Sequence, residues 1–181
     1  MNSLLCTLSL FLASSLVLFH ARSVADVVAD TCKKSAASSP NVNYDYCVKA
    51  LGSDSRSSSA DVQGLGLIAL NLLESSVTST ASHIQELLKQ KQDPYVQKRL
   101  TDCSDQYSDA ADSLKGAVGS YQAKQYLDVQ TAVSAVSTYA DTCESQFKDK
   151  EGATSPLTKQ NGDVTQLSYI ELAIVVIVKG S

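Results

Sequence analysis

Along residues 96–121, VQKRLTDCSDQYSDAADSLKGAVGSY, the less polar positions Leu100, Cys103, Tyr107, Ala110, Leu114, Ala117 and Tyr121 recur at alternating steps of three and four. That spacing puts them on one face of a helix, so the segment predicts a helix packed along a single stripe. Asp93 followed by Pro94 marks its start, because an Asp side chain accepts the first free N–H groups and proline tolerates the first helical position. Asp102, Asp105, Asp109 and Asp112 each stand two positions beyond a stripe residue, which turns four carboxylates away from the core. A row of this kind is most often a solvated helix face.

The same period runs through most of the chain. Val27, Val28, Thr31 and Cys32 support a short helix over 26–38, stopped by Ser39-Pro40-Asn41, and a second over 44–51 holds Cys47 and ends at Gly52 as its C-cap. Residues 53–59 read as a loop, and Ser58, three before Asp61, resembles a capping box for a long helix carrying Val62, Leu65, Ala69, Leu72, Ile84 and Leu87. The Ser/Thr-rich stretch 75–82 predicts a kink or a second segment there. A further helix from near Tyr126 presents Val129, Val133, Val136, Ala140, Cys143 and Phe147, and a last one within 157–178 presents Val164, Leu167, Ile170, Ile174 and Ile177. No stretch sustains strand alternation. The simplest burial of these stripes is an all-α antiparallel up-down-up-down four-helix bundle over 58–181, with the short N-terminal hairpin of 26–52 as its appendage.

Residues 4–19 are almost wholly apolar or small, and Ser23-Val24-Ala25 suits a signal peptidase, so residues 1–25 read as a secretory leader and 26–181 as one domain. Losing the leader removes Arg22 and no acidic residue, which moves the net charge from −4 to −5. That balance argues against nucleic acid and anionic membranes as partners. The apolar run 173–178 is too short to span a bilayer. Cys6 lies in the leader; Cys32, Cys47, Cys103 and Cys143 form an even set in a chain bound for an oxidising compartment. Of the three possible connectivities the nearest-neighbour one is favoured, because the first two cysteines flank a short connection and the last two fall on core stripes. No CxxC occurs and the mature chain keeps only His83, so neither a metal nor a cofactor is expected.

Catalytic machinery is thin. His83 sits in a polar stretch without a free thiol, the paired carboxylates lie outside a helix where nothing desolvates them, and GxSxG, phosphate-loop and HExxH motifs are absent. A non-enzyme is expected.

The segments DTCKKS, NVNYDYCVKALGSDSRSSSADVQGLGLIAL, LTDCSDQYSDAADSL, ADTCESQF and SPLTKQNGDVTQLSYIELAI span essentially the whole mature chain. Together they resemble the plant invertase and pectin methylesterase inhibitor family, which includes tree-pollen allergens. The resemblance implies a disulfide-stapled N-terminal hairpin and a bundle whose second and third long helices share the other disulfide. It also implies an apoplastic protein that binds a cell-wall enzyme and blocks its substrate cleft. Invertase inhibitors of this family insert a Pro-Lys-Phe motif from the connection between those two helices; here the place reads Ala123-Lys124-Gln125-Tyr126, with Lys124 and Tyr126 as the matching side chains and no proline. In pectin methylesterase inhibitors a threonine just before the fourth cysteine contributes to the contact, and Thr142 stands there beside the acidic face of Asp102, Asp105 and Asp109. Pectin methylesterase is therefore the preferred partner and acid invertase the alternative. A reading from another class is a storage-like or ligand-carrying bundle with no enzyme target.

Overall fold

The computed structural model describes residues 24–180, so the expected leader lies outside the described residues apart from its last two positions. Every element among the described residues is helical: α1 Val24–Ser38, α2 Tyr44–Gly52, α3 Val62–Leu88, α4 Pro94–Leu114, α5 Ala117–Gln122, α6 Tyr126–Gln146 and α7 Thr158–Lys179. Single turns of 3₁₀ helix cover Ser55–Ser58, within the expected loop, and Phe147–Asp149.

Helix α3 packs on α4 and α7, and α6 packs on the same two, so the four long helices enclose one core. Their directions follow from cross-links. Tyr95 near the start of α4 donates its hydroxyl to the Gln146 carbonyl at the end of α6 at 2.7 Å. Lys179 at the end of α7 donates to Gln130 near the start of α6 at 3.3 Å, and Thr158 at the start of α7 donates to Glu144 at 2.8 Å. Gln97 of α4 likewise reaches the Leu88 carbonyl of α3 at 3.3 Å. Successive long helices therefore run antiparallel.

The stripes set what is inside. Leu100, Cys103, Tyr107, Ala110 and Leu114 of α4 meet Val129, Val133, Val136, Ala140 and Cys143 of α6, all buried. Each fully buried Leu contributes about 2 kcal/mol. In α7 Val175 is buried and Ile177 only half-buried, a small shift of the expected stripe. Although α7 has the length and mean hydropathy of a bilayer span, half of its most apolar window is buried in the bundle.

Several local expectations are corrected. The helix expected over 96–121 breaks after Leu114, because Gly116 adopts φ 86°, a left-handed conformation that costs glycine no Cβ clash. The stripe crosses the break, and Ala117 and Tyr121 of α5 remain buried. Helix α3 runs unbroken through 75–82: Thr78 and Thr80 donate their hydroxyls back to the Glu74 and Ser76 carbonyls at 2.9 and 2.8 Å, so the polar side chains are satisfied without opening the helix. Its cap is Asp61, which accepts from Gly64 N–H at 2.7 Å, while Ser58 donates to the Ser55 carbonyl. Gly52 is the last residue of α2 and Ser53 caps it.

The N-terminal hairpin is more than an appendage. Val28, Cys32, Val42, Cys47 and Leu51 share a second core with Leu65, Ile68 and Ala69 of α3 and Ile170, Ala173 and Ile174 of α7. The Gln166 side chain clamps the α1–α2 turn, accepting from Asn43 N–H and donating to the Asn41 carbonyl, each at 3.0 Å. Cys32 and Cys47 are bonded within this hairpin.

Leu100→Ala should lower stability by about 2–5 kcal/mol, since the side chain is fully buried. Asp112→Ala, which removes only an exposed pair with Lys115, should stay within about 0.5 kcal/mol; comparable denaturant midpoints for the two variants would mean that the faces of α4 are reversed. Gly66→Ala should also destabilise, by about 1–3 kcal/mol, although alanine is the better helix former, because its methyl would run into the Tyr121 hydroxyl and ring. A raised melting midpoint for that variant would contradict the packing of α5 on α3.

Candidate surface for a protein partner

The α4–α6 pair is cross-linked at its core. Cys103 and Cys143 are bonded across it with their α-carbons 5.0 Å apart. Asp102 and Thr142 each precede a half-cystine by one residue. In an antiparallel pair joined at those cysteines, the preceding positions rotate to the same side, and the core lies on the other. Both residues therefore border the outer groove between α4 and α6.

The expected residues divide on this surface. Asp102 is half-buried and pairs with Arg99 at 3.3 Å, a contact that holds its carboxylate along the helix. Asp109, two turns further on, shares its side of α4, whereas Asp105 and Asp112 turn further from α6; these last three are exposed. Thr142 is half-buried, and its hydroxyl donates to the Thr138 carbonyl at 2.7 Å. Towards the α5 end the groove widens into a hollow of about 390 Å³, bordered by Ser113, Ala117, Asp128, Thr131 and Ala135.

Lys124 and Tyr126 lie at that end, in the α5–α6 connection. Lys124 is exposed with φ 58°, and its N–H donates to the Tyr121 carbonyl at 3.0 Å. The Tyr126 ring stands edge-on to the buried Tyr121 ring at 5.5 Å, so it is held on the bundle. The large apolar side chain that projects here is Leu127, 72% exposed.

His83 is 3.8 Å from the Glu86 carboxylate on the side of α3, and among the described residues no group of three metal-ligating side chains occurs. The α6–α7 seam holds a polar chain that periodicity did not reveal. Tyr107 donates to Asn161 at 2.8 Å, Asn161 donates to Glu144 at 2.7 Å, and Glu144 also accepts from Thr158. Burial raises the Tyr107 hydroxyl well above its ordinary pKa, so it stays a donor to Asn161. Glu171, fully buried in α7, was also missed; its signal was an acidic residue inside the run Ile170–Val175.

Residues 26–174 match the sequence profile of the plant invertase/pectin methylesterase inhibitor family. A protein of Platanus acerifolia named "Putative invertase inhibitor" is 44% identical over 93% of this chain and 94% of its own. The "Pectinesterase inhibitor" of Actinidia deliciosa is 29% identical over 97% of both. A crystal structure of a mutant pectin methylesterase inhibitor from Arabidopsis superposes with a TM-score of 0.70 at 23% identity, covering 83% of this chain and 95% of that one, a likeness of fold. The chain belongs to the plant invertase/pectin methylesterase inhibitor family, whose members are enzyme inhibitors and not enzymes.

Proposed function

We propose that the protein is a secreted, apoplastic inhibitor of a pectin methylesterase, seated on its target through the outer α4–α6 groove. The observation that carries this reading is the Cys103–Cys143 bond across α4 and α6, beside which helix geometry turns Asp102 and Thr142 to one side. A face stapled across two helices loses little freedom on docking, so less of the contact energy is spent on ordering it. The exposed carboxylates of Asp105 and Asp109 suit a cationic rim on the partner and steer encounter more than they hold the complex.

A second reading, inhibition of an acid invertase through the 123–127 connection, is supported by names. The Platanus acerifolia relative is one instance, and an Arabidopsis thaliana protein named "Cell wall / vacuolar inhibitor of fructosidase 2" is 33% identical over 85% of this chain. Against it stands the Tyr126 ring, which would have to leave Tyr121 to enter a cleft.

Inhibition of one pectin methylesterase and one acid invertase by wild type and variants separates the two. Thr142→Trp should weaken pectin methylesterase inhibition by about tenfold or more, at an unchanged melting midpoint, because the added ring blocks the groove without entering the core. Asp105→Ala combined with Asp109→Ala should slow association and flatten its salt dependence. If only invertase is inhibited, and only Lys124→Ala and Tyr126→Ala abolish that inhibition, the second reading replaces the first.

A further inference from the structure

Glu171 lies in the middle of α7 with no solvent exposure, and neither of its carboxyl oxygens has a hydrogen-bond partner. The Tyr121 hydroxyl of α5 is also buried without a partner, and it lies close enough for a charge on Glu171 to oppose its ionisation. Tyr121 in turn fills the space left by the missing side chain of Gly66 on α3. Three helices thus meet around two unpartnered polar groups.

The titratable groups near this point are Tyr121 itself, Tyr126 of α6 and Asp61 at the cap of α3; the last two, like Glu171, disfavour negative charge on Tyr121. On α1, Asp30, Lys33 and Lys34 are exposed, as are Asp45 and Lys49 of α2 and Glu74 of α3. On α6, Asp128 and Asp141 are exposed, while Glu144 is engaged with Asn161. The cations of α7 are at its ends, Lys159 beside Asp163 and Lys179 bonded to Gln130. On α4 the buried titratable group is Tyr107, bonded to Asn161, and Asp102, Asp105, Asp109 and Asp112 lie on its outer side. Among the described residues no cation is positioned to neutralise a Glu171 carboxylate. An unpaired charge buried in such a place is strongly destabilising.

We propose that Glu171 is a neutral carboxylic acid built into the bundle core, and that its ionisation makes the fold pH-limited: firm in acidic surroundings, loosened as the pH rises. Burial alone pushes this carboxyl well above the usual range. In the unfolded chain the same group ionises near its ordinary value of about 4.3. The folded state therefore keeps a proton that the unfolded state has given to solvent. The stabilising effect is complete below the unfolded value and is lost as the pH climbs towards the folded one. Over that window each pH unit favours unfolding by about tenfold.

The test is thermal melting of the disulfide-bonded mature protein and of Glu171→Gln from pH 4.5 to 8. Other titrating groups are common to both proteins, so the difference between their midpoints isolates Glu171. Relative to the variant, wild type should lose about 3–5 °C per pH unit across the window. A difference that stays constant with pH overturns the proposal, whatever the absolute stability of the variant. If Glu171→Gln does not fold, wild type labelled with ¹³C at the glutamate carboxyls decides it by NMR. One carboxyl should remain protonated after the others have titrated, and ordinary titration of every glutamate overturns the idea. Neither readout depends on which enzyme is inhibited.

Discussion

The contact on which the rest depends is the buried seam between α4 and α6. Two stripes with steps of three and four close on each other there, and Cys103–Cys143 ties them at one level. The closed loop spans 40 residues, for which chain entropy alone gives about 4 kcal/mol of stabilisation. Because the bond is buried in the core and not hung on a loop, it also fixes the register of the two helices. Everything outside the seam inherits that register: the side to which Asp102 and Thr142 turn, and the place where α5 must leave α4.

The core is not uniformly apolar, and two of its polar interruptions behave differently. Tyr107, Asn161, Glu144 and Thr158 form a connected chain from the core to the surface, so each buried group has a partner and the α6–α7 register has a specific lock. Glu171 and Tyr121 have none. A satisfied network favours one register over its neighbours; an unsatisfied acid can persist only by remaining neutral. The same bundle therefore holds one polar device for specificity and one that ties its stability to proton activity.

Much of the fold was legible because periodicity reports burial directly. Leu100, Cys103, Tyr107 and Leu114 could be assigned inward from spacing alone. What spacing cannot report is a change of helix axis. The stripe continues through Ala117 and Tyr121 while the backbone turns at Gly116, so one helix was read where two exist. Ser/Thr content misled in the other direction, since hydroxyls that return to their own helix's carbonyls leave α3 straight through 75–82. The surface was harder to read. Asp102, Asp105 and Asp109 look equivalent in sequence, but a two-turn repeat pairs Asp102 with Asp109 and rotates Asp105 away.

Relatives named for inhibition of two different enzymes match this chain over most of its length, so residues that set the target are to be sought where they can vary without disturbing the core. Two such sets are separated physically here. The outer α4–α6 groove rests on regular helices whose inward neighbours are fully buried, and substitutions there alter shape and charge alone. The 123–127 connection rests on two residues with positive φ, Gly116 before it and Lys124 within it. Its geometry is set by Tyr121 lodged against Gly66, with Tyr126 leaning on that same ring. The connection is therefore coupled to the core through Tyr121, beside Glu171. A partner that used the connection would act on the part of the bundle whose packing depends on a protonated acid, whereas a partner on the groove would act on the part held by the disulfide.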